Sequence, residues 1–111
     1  MSDHTKDEWS VWMARVMFDD EIGSKERPVI VLKDQVILCI CMGVTSKQKI
    51  FRHGYKLKEW RHAGLTKASW VRFEYLRLKP DRFGRKIGML HPDDICGIQA
   101  WMKKLMYGHD L

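Results

Sequence analysis

From residue 11 to residue 90 the apolar side chains recur in short alternating or β-branched runs, interrupted by charged stretches and by glycine and proline. Only beyond Pro92 does the spacing turn helical. A chain patterned in this way buries its apolar groups by pairing strands, so the expectation is a mainly β domain with one carboxy-terminal helix. The 111 residues leave room for one core, so residues 1–111 are expected to form a single domain, with 1–9 as a flexible leader.

The first strand is expected over residues 11–18, with Trp12, Ala14, Val16 and Phe18 on one side and Arg15 on the other. Residues 19–27 (DDEIGSKER) are charged and aperiodic and read as a surface loop. Residues 28–32 and 35–44 are rich in Val and Ile and separated by Lys33 and Asp34, a spacing that predicts a tight hairpin whose strands are buried on both faces. A helix over 36–44 is the rival, disfavoured by Val36, Ile37, Ile40, Gly43 and Val44. Residues 46–55 read as a second, basic loop, and 57–62 as one helical turn ending at Gly64. Strands are then predicted over 69–78 and 87–90, with a turn at 79–85. Pro92, the acids Asp93 and Asp94, and the late Lys103 and Lys104 mark the two ends of the helix. Its stripe of Ile95, Ile98, Met102, Leu105 and Met106 reads as a packing face.

The net charge of +6 is unevenly spread. Residues 1–26 hold three basic and seven acidic groups, whereas 47–86 hold thirteen and three. The basic stretch is interleaved with Phe51, Tyr55, Trp60, Trp70, Phe73 and Tyr75, which supplies charge for phosphates and rings for bases, as a single-strand nucleic-acid groove requires. A solvated basic face whose rings belong to the core has the same composition. Cys39, Cys41 and Cys96 lack metal-site spacing, so buried thiols and no metal are expected. The start, MSDHTKDEWS, has no signal-like apolar region, and the longest apolar run, 36–44, is too short to span a bilayer. A cytoplasmic location without membrane contact is expected.

Several short motifs fall in a telling order. A strand ending at Phe18 is followed by a charged loop, then Arg27-Pro28-Val29-Ile30-Val31-Leu32, then Gly43-Val44-Thr45-Ser46 closing an apolar strand. Further on come the block from Glu59-Trp60-Arg61-His62 to Trp70-Val71-Arg72, and Ile87-Gly88-Met89-Leu90 before an acid-capped helix. Over residues 10–106 this succession resembles the MazF/PemK toxins of bacterial toxin-antitoxin systems. The resemblance implies a small SH3-like β-barrel of the CcdB/MazF type and a homodimer. It also implies cofactor-independent cleavage of single-stranded RNA and neutralisation by a cognate antitoxin protein.

Metal-free RNA cleavage uses the 2′-hydroxyl as nucleophile, so a site must move protons and stabilise charge on the phosphoryl oxygens. By the resemblance, Arg27 is the catalytic arginine at the phosphorane, a task its planar fork suits. Thr45 is the strand-end hydroxyl that holds a phosphate oxygen, with Ser46 beside it; such residues also commonly bond to nearby backbone. Arg72 and Glu74, two apart in a strand, project from one face, with the acid acting on the proton. Glu74 stands where relatives have a shorter aspartate, and an exposed structural charge pair is the other reading. Lys25, Ser46, Lys47, Lys49 and Arg52 are expected to contact RNA, and Trp70 to stack a base or to lie in an interface. The first loop has no histidine, unlike some relatives, which leaves His53 or His62 as the acid if they are not simply exposed.

Two other functions fit the same barrel. One is a non-enzymatic poison of the CcdB type that binds DNA gyrase through residues 101–111 and has no need of Arg27, Thr45 or Glu74. The other is a nucleic-acid-binding module without chemistry.

Overall fold

The computed structural model describes residues 6–16, 25–47 and 54–107. In them, strands β1 (Ser10–Val16), β2 (Lys25–Asp34), β3 (Cys39–Thr45), β4 (Tyr55–Lys56), β5 (Trp70–Leu78) and β6 (Phe83–Met89) form one antiparallel sheet, and α1 (Pro92–Tyr107) follows. The strand order is β4-β5-β3-β2-β1-β6. The expected class, mainly β with a carboxy-terminal helix, is what the chain adopts.

The central strands are apolar on both faces, which explains the near-continuous apolar runs of β2 and β3. On one face Val11, Ile30, Met42, Val44 and Val71 pack with Leu57, Ala63 and Ile98. On the other, Ala14, Val16, Val29, Val31, Cys39 and Cys41 pack with Trp12 and Phe83. Each such fully buried Val or Ile contributes about 1.5–3 kcal/mol relative to an exposed one.

Strand pairing does not close the barrel: β4 and β6 are the two edges of the sheet, and the connection from β4 to β5 packs against β6. Residues 57–69 leave β4, make the predicted helical turn and return to β5, and the turn ends at Gly64 with φ +88°. Gly64 lies so close to Ile87 of β6 that a Cβ would fall on the Ile87 carbonyl, and a Cβ on Gly88 would fall on that of Ala63. The 57–69 lobe and β6 therefore meet backbone to backbone, and only glycine permits that approach.

Several boundaries differ from expectation. β1 stops at Val16, and Phe18 lies outside the described residues. β2 begins at Lys25, so Lys25 and Arg27 are strand residues and not loop residues; residues 19–24 lie outside the described ones. The hairpin turns at residues 35–38, past Lys33 and Asp34. The Asp34 carboxylate accepts the Val36 N–H (2.8 Å) and the Lys6 N–H (2.6 Å). That local bond holds Val36 at φ +73° and leaves Val36 and Ile37 exposed, overriding their strand preference. β6 runs from Phe83, earlier than expected, because an edge strand tolerates the polar Arg85 and Lys86. Of the expected leader, residues 1–5 lie outside the described residues. Nearer the strand, Trp9 donates its N–H to Val31 and accepts that of Leu90. Cys96 is exposed on α1, unlike the buried Cys39 and Cys41, and Met106 falls off the packing stripe into solvent.

The start of α1 is tied into the sheet through a buried carboxylate. His91 caps the helix: its carbonyl accepts the N–H groups of Asp94 and Ile95, and its Nδ1 accepts that of Asp93 (3.0 Å). Asp94, fully buried, accepts the Tyr55 hydroxyl (2.9 Å) and the N–H groups of Lys58 (3.0 Å) and Glu59 (2.8 Å). It thereby fastens β4 and the 57–69 lobe to the helix. The Tyr55 ring also sits over Gly97, where a Cβ would collide with it.

Burial and the hydrogen bond to Asp94 push the Tyr55 phenol from its ordinary 10 up to about 12. Because the folded value is the higher one, the neutral phenol contributes its full stability below pH 10 and loses it as pH rises towards 12. In urea titrations Tyr55→Phe is expected to be less stable than the unmodified chain at neutral pH. The gap should narrow above pH 10, whereas a constant gap would show that the phenol does not titrate with folding.

Candidate nucleic-acid interface

The register assembles residues that are distant in sequence. Arg27 pairs with Ala14 across β1 and β2, Val29 with Gly43 across β2 and β3, and Thr45 with Trp70 across β3 and β5. Continued by two residues, the β2–β3 register sets Arg27 beside Thr45. Arg27, Thr45 and Trp70 thus form one row on one face, since cross-strand partners project to the same side.

At the end of this row a cleft of about 210 Å³ opens, lined by Arg27, Thr45 and Ser46 on one side and by Thr66, Lys67 and Ser69 on the other. Arg27 is half-buried, Thr45 buried and Ser46 exposed. The Thr45 hydroxyl accepts the Lys47 N–H (3.1 Å), the local backbone bond that a strand-end threonine commonly makes. Its own proton remains available for donation to a ligand oxygen.

Arg72 and Glu74 bond to each other, Nε to Oε1 at 3.0 Å. Their side chains are 5% and 29% exposed, so this is not a solvent-exposed surface pair. The cause is an irregularity in β5. Met42 pairs with Tyr75 and Val44 with Val71, so residues 72–74 all face the single Gly43. Extra residues of this kind re-aim side chains, and here they stand next to a position that has none. The pair stands opposite Gly43, two residues along β3 from Thr45, and does not line the cleft.

The other anticipated contacts are dispersed. Lys25 is exposed at the start of β2, Lys47 is exposed just beyond Thr45, and Lys49, Arg52 and His53 lie outside the described residues. Trp70 is half-buried, with the Lys56 ammonium 5.8 Å from its ring centre. His62 packs edge-on against His91, ring centres 5.0 Å apart, beside the start of α1. Tyr55 and Trp60 of the basic stretch pack against the core.

Sequence reasoning missed Thr66, Lys67 and Ser69, because nothing local distinguishes them from the rest of the basic stretch. A larger groove, about 350 Å³, lies between α1 and β2, lined chiefly by Trp9, Leu32, Met102 and Met106, and holds none of the anticipated site residues. Among the described residues no three His, Cys, Asp or Glu side chains gather to hold a metal, and no helix is long and apolar enough to cross a membrane.

An antiparallel sheet with a carboxy-terminal helix thus carries, at its strand ends, a cleft lined by Arg27, Lys67 and several hydroxyls. The sequence model of the PemK-like, MazF-like toxins of type II toxin-antitoxin systems matches residues 7–106, and the chain belongs to that family. Among solved structures, a MazF toxin of Mycobacterium tuberculosis superposes with a TM-score of 0.69 at 17% identity, covering 90% of this chain and 98% of that one. A MazE–MazF structure from Deinococcus radiodurans gives 0.69 at 18%, covering 96% and 100%. An endoribonuclease in complex with its cognate antitoxin, from a mycobacterial species, gives 0.67 at 9%, covering 93% and 94%. No curated protein sequence matches significantly.

Proposed function

We propose that the chain is the toxin of a toxin-antitoxin pair and a metal-independent endoribonuclease that cuts single-stranded RNA in the cytoplasm as a homodimer. The observation that carries this reading is the cleft that sets Arg27 beside Thr45 and Ser46 in a chain of this family. In this scheme the 2′-oxygen attacks the adjacent phosphorus while Glu74, which stands outside the cleft opposite Gly43, takes its proton. The Arg27 guanidinium stabilises the extra charge on the phosphoryl oxygens, and the Thr45 hydroxyl donates to one of them. The bond to the 5′-oxygen breaks, and that oxygen is protonated by the proton Glu74 has taken or by solvent. Arg72, bonded to Glu74, holds the carboxylate in place. Lys25, Ser46, Lys47, Lys49 and Arg52 bind the strand, and Trp70 stacks a base.

An antitoxin partner is supported by the MazE–MazF and endoribonuclease–antitoxin complexes among the structural neighbours. An acidic, partly apolar antitoxin tail would occupy the same cationic cleft and exclude RNA, with salt slowing its capture.

Incubation of the purified chain with a long RNA in EDTA is expected to yield fragments with 2′,3′-cyclic phosphate and 5′-hydroxyl ends. Fragments with 5′-phosphates, or loss of cleavage in EDTA, would overturn the mechanism.

A further inference from the structure

The side of the cleft formed by the lobe has no role in the scheme above, yet its backbone is tied down at several points. We propose, resting on the ribonuclease reading, that Lys67 is a further RNA-binding residue. Its ammonium holds the phosphate next to the one at Arg27, and residues 65–69 form a preformed wall that fixes where this phosphate lies.

Position is the first argument. Thr66, Lys67 and Ser69 line the same cleft as Arg27, Thr45 and Ser46, so a strand lying in it is flanked by cations from β2 and from the lobe. Lys67 is exposed, and among the described residues no carboxylate pairs with it, so its charge is available to a ligand.

Rigidity is the second. Exposed lysines usually sit on backbone with no reason to be fixed, but the Lys67 peptide is held from several directions. The buried Ser69 donates its hydroxyl to the Lys67 carbonyl (2.8 Å), and the Ser69 carbonyl accepts the Leu57 N–H (3.0 Å). Leu65 donates to the Trp60 carbonyl (3.1 Å), Gly64 abuts β6, and Asp94 holds Lys58 and Glu59. A charge carried on a fixed base loses little freedom on binding.

Chemistry assigns the role. A lysine is a point charge without the bidentate fork of arginine, and in the scheme above the reacting phosphoryl group already has Arg27 and Thr45. Lys67, lining the same cleft, is therefore assigned the neighbouring, non-reacting phosphate, bound equally in ground and transition state. Binding of that kind sets affinity and leaves the rate at saturation unchanged.

The test uses the full chain and a fluorescent single-stranded RNA with 2′-O-methyl groups, which cannot be cut because the nucleophile is blocked, over a salt series. For Lys67→Gln the dissociation constant is expected to rise about 3- to 10-fold, and the log–log salt dependence to flatten by about 0.7, one phosphate contact on a single strand. Lys67→Arg should keep the slope, and Lys103→Gln on α1 should leave both quantities unchanged. Single-turnover cleavage by Lys67→Gln at saturating RNA should stay within about twofold of the unmodified chain. Unchanged affinity and slope in Lys67→Gln, with the unmodified chain binding normally, would make Lys67 a solvated surface cation and overturn the proposal. A lower rate at saturation with unchanged affinity would also overturn it, by moving Lys67 into the chemistry. If the unmodified chain neither binds nor cuts RNA, the ribonuclease reading itself fails, and the proposal with it.

Discussion

Arg27→Ala is expected to lower RNA cleavage by about 10²- to 10³-fold, the usual effect of removing one preorganised donor to a developing oxyanion. The fold should survive, because Arg27 is only half-buried at the cleft while the β2 side chains that fill the core are Val29, Ile30 and Val31. Circular dichroism would establish the fold, and single-turnover cleavage the loss. Growth arrest by the variant as strong as that of the unmodified chain would instead favour a non-enzymatic poison. On that reading the apolar groove beside Met102 and Met106 becomes the surface to mutate.

The largest effect on stability is expected at Asp94. Its carboxylate, itself fully buried, accepts from Tyr55, Lys58 and Glu59, and Asp94→Ala removes the acceptor of all three donors. At about 1–3 kcal/mol for each unsatisfied buried group, the loss should reach about 3 kcal/mol or more, a large part of the 5–15 kcal/mol typical of a domain. Urea titration would measure it. Asp94→Asn should lose less, since its amide oxygen still accepts from Tyr55 and Lys58 while its NH₂ meets the Glu59 N–H. A change in midpoint within experimental scatter for Asp94→Ala would show that the lobe is held by its apolar contacts alone.

Elements governed by local patterning were legible in the sequence. The helix, with Pro92 and two acids at its start, and the apolar cores of β2 and β3 follow from residue type and spacing. The turn at 35–38 did not, because Val36 and Ile37 carry strand propensity and the deciding contact comes from the Asp34 carboxylate. β4, two residues long, has no periodicity to detect, and Tyr55 looked like a base-stacking ring when its hydroxyl is committed to Asp94. Asp94 itself read as a helix-dipole residue, since its partners lie 35 to 39 positions earlier in the chain.

The site was legible only in pieces. Arg27 and Thr45 were selected by resemblance, and what sets them side by side is a β2–β3 register that no local motif encodes. The Arg72–Glu74 pair followed from two-residue spacing, but its burial depends on the irregularity opposite Gly43. Lys67 was one of thirteen basic residues between 47 and 86, and its position becomes special only when the lobe folds back over the strand ends.

The contact between Gly64 and Ile87 also bears on how the chain is made. β1 pairs with both β2 and β6, and β6 is the last strand to leave the ribosome. Until residues 83–89 emerge, β1 offers a row of unsatisfied backbone groups to any neighbouring chain, with Val36 and Ile37 exposed at the hairpin tip nearby in sequence. Once β6 is seated, its remaining edge is blunted where the lobe abuts it. A bulkier residue at position 64 or 88, which would push the lobe and β6 apart, is therefore expected to raise aggregation during synthesis as well as to destabilise the finished molecule.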